Sequence, residues 1–264
     1  MQSEPNDFVP VERRRRIYRL VSQKGSVKVT DLADEFDVGL NTIRKDLEVL
    51  QQEGKLRRVH GGAVVKDSPM PLPPYAETVE AHIEEKSRIA IASQDFVPSS
   101  GTIFIGSGST VYQMVRALSP GMNARVVTNS IQVAGYILGN QIASVDILGG
   151  PLEPELQAAE LLERSVDGLY WDVAFMGVGA IDINRGITTL NQSNANTDKR
   201  MIEHASKVIV LCDSSKIGRY SYVHVGPLAL IDVLITDSNI SPKLASDLEE
   251  QGLNVVIAGP SGVL

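Results

Sequence analysis

Two groups of residues in this chain have the types and spacing to do chemistry. The first is Ile103-Phe104-Ile105-Gly106-Ser107-Gly108-Ser109-Thr110-Val111-Tyr112, where a β-branched run passes through a Gly/Ser-rich turn into a helical pattern. A strand, tight turn and helix in that order bring free backbone N–H groups, hydroxyls and the positive end of a helix dipole to one point. Such a point attracts an anion. Three further turns follow predicted strands: Thr128-Asn129-Ser130, Gly149-Gly150 and Gly177-Val178-Gly179-Ala180-Ile181-Asp182. Ligands of an open α/β sheet bind at the carboxyl ends of the strands, so these turns can share one pocket with Gly106–Thr110. Lys199 and Lys216 are candidate cations for a phosphate; Lys199 reads equally well as a surface lysine, and Lys216, just after a predicted strand, less so. The loop lacks the Lys-Ser/Thr pair of a Walker A motif, no G-x-S-x-G elbow occurs, and Gly177-Val178-Gly179 does not complete a dinucleotide fingerprint. Nucleotide hydrolysis, esterase chemistry and dinucleotide redox chemistry therefore lack their residues. A Ser-capped tight turn with no ligand is the structural alternative.

The second group is basic. Residues 1–66 hold 13 Lys+Arg against 10 Asp+Glu, and the remaining residues hold 12 against 22, so a net charge of −7 divides into +3 and −10. A basic head on an acidic body suits a head that touches nucleic acid. Within the head, Asn41, Thr42, Arg44 and Lys45 cluster at the start of one helical pattern, and Arg57, Arg58 and His60 follow on an alternating segment. Arg pairs with guanine and Asn with adenine in a major groove, while Thr and Lys more often hold phosphates. Arg13–Arg16 point around a whole helix, so their run is less decisive.

These residues need positioning elements, and the pattern supplies them. Pro10–Lys24 reads as a helix with Ile17, Leu20 and Val21 on its apolar side and Gly25 as its stop. Thr30 then caps a short helix with the stripe Leu32, Ala33 and Phe36, and a third helix carries Ile43, Leu47 and Leu50 and stops at Gly54. Two short helices joined by Asp37-Val38-Gly39 form a helix-turn-helix, and Lys55–Val64 with its double glycine suits a β-hairpin wing. A packing or dimerisation module is the alternative for this unit. Pro69, Pro71, Pro73 and Pro74 mark a linker over 66–80. Beyond it, strands at Thr102–Ile105, Ala124–Thr128, Val145–Leu148, Val173–Val178, Val208–Cys212, Val233–Thr236 and Asn254–Ala258 alternate with helical segments near 84–94, 110–118, 130–138, 159–168, 195–206 and 242–251. That alternation predicts a mostly parallel sheet covered on both faces. The domains are therefore 8–65, a winged helix-turn-helix, and 81–264, a mostly parallel α/β domain. One cysteine, Cys212, which reads as inert core, excludes an intramolecular disulfide and any multi-cysteine zinc or iron–sulfur site, and four scattered histidines argue against a histidine-rich metal centre. No cofactor is implied. No leader-like or membrane-spanning apolar run occurs, and a cytoplasmic, soluble protein is expected.

The run Thr42-Ile43-Arg44-Lys45-Asp46-Leu47, then Leu50, Gly54 and Leu56-Arg57-Arg58-Val59-His60-Gly61-Gly62-Ala63, resembles the N-terminal signature of the DeoR family of bacterial transcriptional regulators. The body is similar to the family's sensor domain at Gly106–Thr110, Val127–Ser130, Leu148–Gly150, Asp172–Gly177, Gly186–Thr189, Met201-Ile202, Asp213–Lys216 and Ile235–Asp237. The resemblance implies a Rossmann-like α/β fold shared with ribose-5-phosphate isomerase and CoA-transferase-like proteins. It also implies repression of a carbohydrate catabolic or transport operon, released by a phosphorylated sugar or related metabolite, with double-stranded operator DNA as partner and a homodimer or homotetramer as the working form. The implied effector site is Gly106, Ser107, Gly108, Ser109, Thr110, Thr128, Asn129, Ser130, Gly149, Gly177, Gly179, Asp182, Lys199 and Lys216, with no catalytic residue. The chain departs from the family where Gly39-Leu40 replaces a Ser at the start of the recognition helix. A second departure is Leu190–Ala195, with Asp198 before Lys199-Arg200, which replaces paired acidic residues, and a third is Pro151–Glu155, which replaces a more polar stretch. A sugar-phosphate isomerase with an accessory basic domain would need such an acidic pair. That enzyme is the alternative function, and a protein-binding scaffold is a third.

Overall fold

The structure, a computed structural model, describes residues 10–24, 26–53, 55–59, 61–65, 75–153 and 157–259. The chain divides into two compact units, Met1–Met70 and Pro71–Leu264.

In the first unit the chain runs α1 (Pro10–Lys24), β1 (Ser26–Lys28), α2 (Val29–Phe36), α3 (Leu40–Gln52), β2 (Leu56–Val59) and β3 (Gly62–Val65). The helical spacing of apolar residues is what closes the core: Ile17 and Val21 from α1, Leu32 and Phe36 from α2, and Ile43, Leu47 and Leu50 from α3 pack together. Asp37 ends α2 in the left-handed conformation, φ 51°, which Asp adopts more readily than most residues. Two expectations change here. Helix α2 starts at Val29 with Lys28 before it and no side-chain cap, and the Thr30 hydroxyl donates to the Asp31 carboxylate instead. The reason is β1, which sequence reading missed: it pairs antiparallel with β3, Ser26 opposite Val64, and carries the chain into α2 two residues earlier. The wing is thus three-stranded, in the order β1, β3, β2. Gly62 is required there, because a Cβ would stand 2.1 Å from the Val27 carbonyl oxygen. Gly25, Gly54 and His60 lie outside the described residues.

The second unit opens with α4 (Tyr75–Glu80), α5 (Ile83–Ala92), β4 (Ser100–Ile105), α6 (Ser109–Arg116), β5 (Asn123–Thr128), α7 (Ile131–Gly139) and β6 (Ser144–Ile147). It continues through β7 (Leu152–Glu153), β8 (Ala158–Ala159), α8 (Glu163–Val166), β9 (Val173–Met176), β10 (Ala180–Asp182), β11 (Gly186–Thr189) and α9 (Gln192–Glu203). The last elements are β12 (Val208–Leu211), β13 (Val223–Gly226), β14 (Val233–Asp237), α10 (Pro242–Glu250) and β15 (Asn254–Ala258). The seven strands expected from the sequence form one parallel sheet in the order β15-β14-β12-β9-β4-β5-β6. Alternate residues of its central strands feed two cores. Phe104, Ala174 and Val210 join Ala195, Met201 and Leu248 on one side, and Ile103, Phe175 and Ile209 join Ile89, Val111 and Val133 on the other. Apolar residues on both faces are what a covered parallel sheet needs.

Three stretches differ from the sequence reading. The last six residues of the expected linker, Tyr75–Glu80, are helical, since Pro74 is the last residue there without a backbone N–H. The expected helix at 159–168 shrinks to Glu163–Val166, because tertiary partners take the backbone groups ahead of it. Ala159 N–H donates to Asn129 O at 2.8 Å, Glu160 N–H to Pro151 O at 2.8 Å and Leu161 N–H to Thr197 Oγ1 at 3.0 Å. Finally, β10, β11 and β13 make a small antiparallel sheet that the sequence reading did not include. Among the described residues no helix is long and apolar enough to cross a membrane.

One polar contact crosses the first unit's interior. Arg13 Nε donates to Asp46 Oδ2 at 2.6 Å, with side chains only 10% and 5% exposed, and so ties α1 to the inner side of α3. Removing one member of a buried pair is strongly destabilising, by about 3–5 kcal/mol. Asp46→Ala should therefore speed amide hydrogen exchange in α3 by roughly a hundredfold or more, with α5–α7 as internal reference; unchanged α3 protection would show the pair to be dispensable.

Candidate functional site

The end of β4 decides the shape of the site. Gly106 N–H donates to the Phe175 carbonyl of β9 at 2.9 Å, which fixes where the chain leaves the sheet. A Cβ at Gly106 would meet Met201 Cε of α9 at 2.7 Å, so the turn lies close under that helix. Gly108 then adopts φ 117° as N-cap of α6 and offers no capping side chain. A helix leaves its first N–H groups without intrahelical partners, so those of Ser109, Thr110 and Val111 remain as donors at this end. The turn opens onto a cavity of about 130 Å³, roughly ten times the space a single water needs and suited to a small metabolite.

Of the candidate residues, Gly106, Ser107, Gly108, Ser109, Thr110, Asn129, Gly177, Gly179 and Lys216 line this cavity. Thr128, Ser130, Gly149, Asp182 and Lys199 do not. Thr128 Oγ1 accepts the Ser130 N–H at 3.0 Å, and Ser130 Oγ caps α7 by accepting from Val133 N–H at 3.4 Å. Asp182 Oδ1 accepts the N–H groups of Asn184 and Arg185 at 3.0 and 2.9 Å, which shapes the turn between β10 and β11. Lys199 lines a separate cleft with Arg164, Asp167, Arg200, Glu203 and His204. Sequence reasoning missed the wall supplied by α9 and its approach: Asn191, Ser193, Asn194, Thr197 and Asp198. Its one sequence signal was an N-cap pattern, since Asn191 Oδ1 accepts from Asn194 N–H at 2.8 Å.

Charge in this region is uneven. Among the described residues Lys216 is the one cation on the cavity lining, and its Nζ lies 3.4 Å from the Val178 carbonyl oxygen. Burial alone would raise the neighbouring Asp213 carboxyl, but Lys216, a hydrogen bond from Ser215, His82 and Lys86 together hold it below the usual carboxylate range. Burial, reinforced by the positive charge of Lys216, pushes Lys86 down to about 8. Lys86 donates to the carbonyls of Thr78 and Ala81, the latter at 2.6 Å, and so fastens the end of α4. Burial pushes the Asp198 carboxyl up to about 8. The buried Cys212 thiol is pushed up by the same cause, which leaves it without thiolate reactivity.

In the first unit, Asn41, Arg44 and Lys45 are exposed at the start of α3 and Thr42 is half-buried. Arg44 Nη1 donates to Asn41 Oδ1 at 3.0 Å, which holds the two candidate base-reading side chains together. On β2, Arg58 is exposed and Arg57 half-buried, and the Arg58 backbone N–H donates to Gln51 Oε1 at 2.8 Å, joining the wing to the last turn of α3.

Residues 13–69 match the DeoR-like helix-turn-helix domain, and residues 81–238 match the DeoR C terminal sensor domain. The chain belongs to the DeoR family of transcriptional regulators. Among its relatives is the HTH-type transcriptional regulator GlpR of Haloferax volcanii, 32% identical over 94% of this chain and 98% of that protein. Another is the glycerol-3-phosphate regulon repressor of Escherichia coli K12, 29% identical over 86% of this chain and 90% of that protein. Among solved structures, ribose 5-phosphate isomerase A of Methanocaldococcus jannaschii covers 50% of this chain and 53% of its own, with 17% identity and a TM-score of 0.36. The architecture expected of a DeoR regulator, a winged helix-turn-helix followed by a mostly parallel α/β sensor, is the one found.

The backbone at Gly108 yields a test of the turn itself. Gly108→Ala forces a Cβ into a positive-φ conformation and should cost the sensor unit about 1–2 kcal/mol. Gly149→Ala, where nothing stands within 4 Å and φ is not positive, should stay within about 0.5 kcal/mol. Urea denaturation of both variants measures the difference, and equal costs would remove the strain argument.

Proposed function

We propose that this DeoR-family regulator is a repressor of a carbohydrate catabolic or transport operon, released from its operator when a phosphorylated sugar or related metabolite fills the sensor cavity. The observation that carries this reading is the turn Gly106–Ser109, where the open end of a helix and a lysine border one cavity at the carboxyl edge of a parallel sheet. A relative named as a glycerol-3-phosphate regulon repressor supports a small phosphate ester as effector. In this proposal residues 8–65 bind DNA and residues 81–264 bind effector and join copies of the chain into a homodimer or homotetramer. Asn41, Thr42, Arg44 and Lys45 enter the major groove, while Arg57, Arg58 and His60 hold the backbone or minor groove. The effector acts by binding one quaternary arrangement better than another, so that paired recognition helices no longer match half-sites about 34–36 Å apart. The chain binds its effector without turning it over.

Fluorescence anisotropy on the DNA upstream of the chain's own gene, with sugar phosphates and their unphosphorylated parents titrated in, tests the whole reading. Release by phosphorylated compounds alone is the expected result. Arg44→Ala should lose about 1–3 kcal/mol of operator discrimination, whereas Arg58→Ala should weaken binding on every sequence and flatten the salt dependence. Ser109→Glu should abolish the effector response while DNA still binds, because it places a carboxylate where the phosphate belongs. Turnover of a sugar phosphate in the same titration, followed by NMR, would favour the isomerase instead, and absence of DNA binding would end the repressor reading.

A further inference from the structure

The sensor cavity has two chemically different sides. The turn after β4 offers donors in the N–H groups at the start of α6 and the hydroxyls of Ser109 and Thr110, and Lys216 stands by the turn after β9. Elsewhere on the lining, hydrogen-bonding capacity is left over. Asn129 gives its Nδ2 to the Ala159 carbonyl at 2.7 Å, yet among the described residues its Oδ1 is buried with no partner, and Ser193 Oγ is buried in the same condition. Asp198 adds a carboxyl that no hydrogen bond or ion pair reaches among the described residues.

Asp198 has no evident structural employment. It sits inside α9, where Asp is a poor helix former, and it is too far from Asn191 at the N-cap to serve the helix end. Its neighbours on the helix are occupied otherwise. Thr197 Oγ1 accepts from Leu161 N–H at 3.0 Å, and Lys199 lines the other cleft. Buried polar groups are normally satisfied, so two unsatisfied ones beside a half-buried carboxyl on the same cavity lining mark the place where a ligand supplies the partners.

We propose that Asp198 is the specificity-determining residue of this cavity and that it reads a hydroxyl on the carbon chain of a phosphate monoester held at Gly106–Ser109. This inference rests on the phosphate reading above. Near neutral pH the raised carboxyl carries a proton, so it both accepts from and donates to a hydroxyl and does not repel the phosphate. A site built around a hydroxyl also rejects the analogue that lacks it, because its own polar groups are then left unpaired.

Isothermal titration calorimetry on the full chain tests the idea with glycerol 3-phosphate, ribose 5-phosphate, glucose 6-phosphate, glucosamine 6-phosphate, propyl phosphate and inorganic phosphate. At least one of the first three should bind about tenfold or more tightly than propyl phosphate, which keeps the phosphate and lacks the hydroxyls. In Asp198→Ala that ratio should fall to within about threefold, and Asp198→Asn, which still donates and accepts, should retain part of it. A wild-type chain without the preference overturns the proposal, and that measurement needs no variant. So does a preference that survives Asp198→Ala. Tighter binding of glucosamine 6-phosphate than of glucose 6-phosphate, lost in Asp198→Asn, overturns it in favour of an ammonium. If none of the six compounds binds, the phosphate reading itself falls, a failure distinct from equal binding of hydroxylated and propyl esters.

Discussion

A parallel sheet that is apolar on both faces can be built only with crossovers that lay helices over it, and this one constraint arranges the sensor unit. Every strand must run the same way, so every turn from a strand into the next helix falls on the same edge. The turns after β4, β5 and β9 are far apart in the chain, yet residues of all three border a single cavity. The chemistry of that edge follows from the geometry. A helix starting at the edge brings its unpaired N–H groups with it, and the turn after β4 is the one where glycine withholds the capping side chain. The turn after β5 is different: Ser130 caps α7, so that helix end is already satisfied and Ser130 stays off the lining.

The DNA-binding unit depends on a different kind of constraint. Its three helices enclose a small core, and α3 presents polar residues outward while it is gripped from within. Ile43, Leu47 and Leu50 give apolar contact, and Asp46 gives the directional one, to Arg13 of α1. An ion pair fixes register in a way that interchangeable apolar contacts do not. The Arg13–Arg16 run, which points all round a helix, thus contains at least one residue whose work is internal.

How much of this was legible depends on how far each feature is local. The seven strands of the parallel sheet were readable because their β-branched residues are apolar on both faces, and the turns between them carry glycine or serine. Strand β1 was not, since Ser26-Val27-Lys28 is too short for a periodic signal and pairs with residues nearly forty positions later. The 159–168 stretch reads as a helix by pattern and is denied most of it by distant acceptors, a tertiary effect that no window detects. In the cavity, the glycine turn was legible because its composition is unusual. The α9 wall was not, because Asn and Ser look like ordinary capping residues. Lysine was favoured at 199 on charge alone, whereas the lining residue is its neighbour, Asp198. Adjacent helical residues point about 100° apart, so a helix places neighbours in different surroundings.

That last property gives α9 a double allegiance. One side of the helix borders the cavity through Asn194, Thr197 and Asp198, and another borders the second cleft through Lys199, Arg200 and Glu203. Its backbone hydrogen bonds make it a stiff rod between two compartments. A displacement of the helix favoured by an occupant on one side would move the wall of the other, and any coupling of that kind would act equally in both directions. The partition is in that sense a balance beam, with a loading pan on either side.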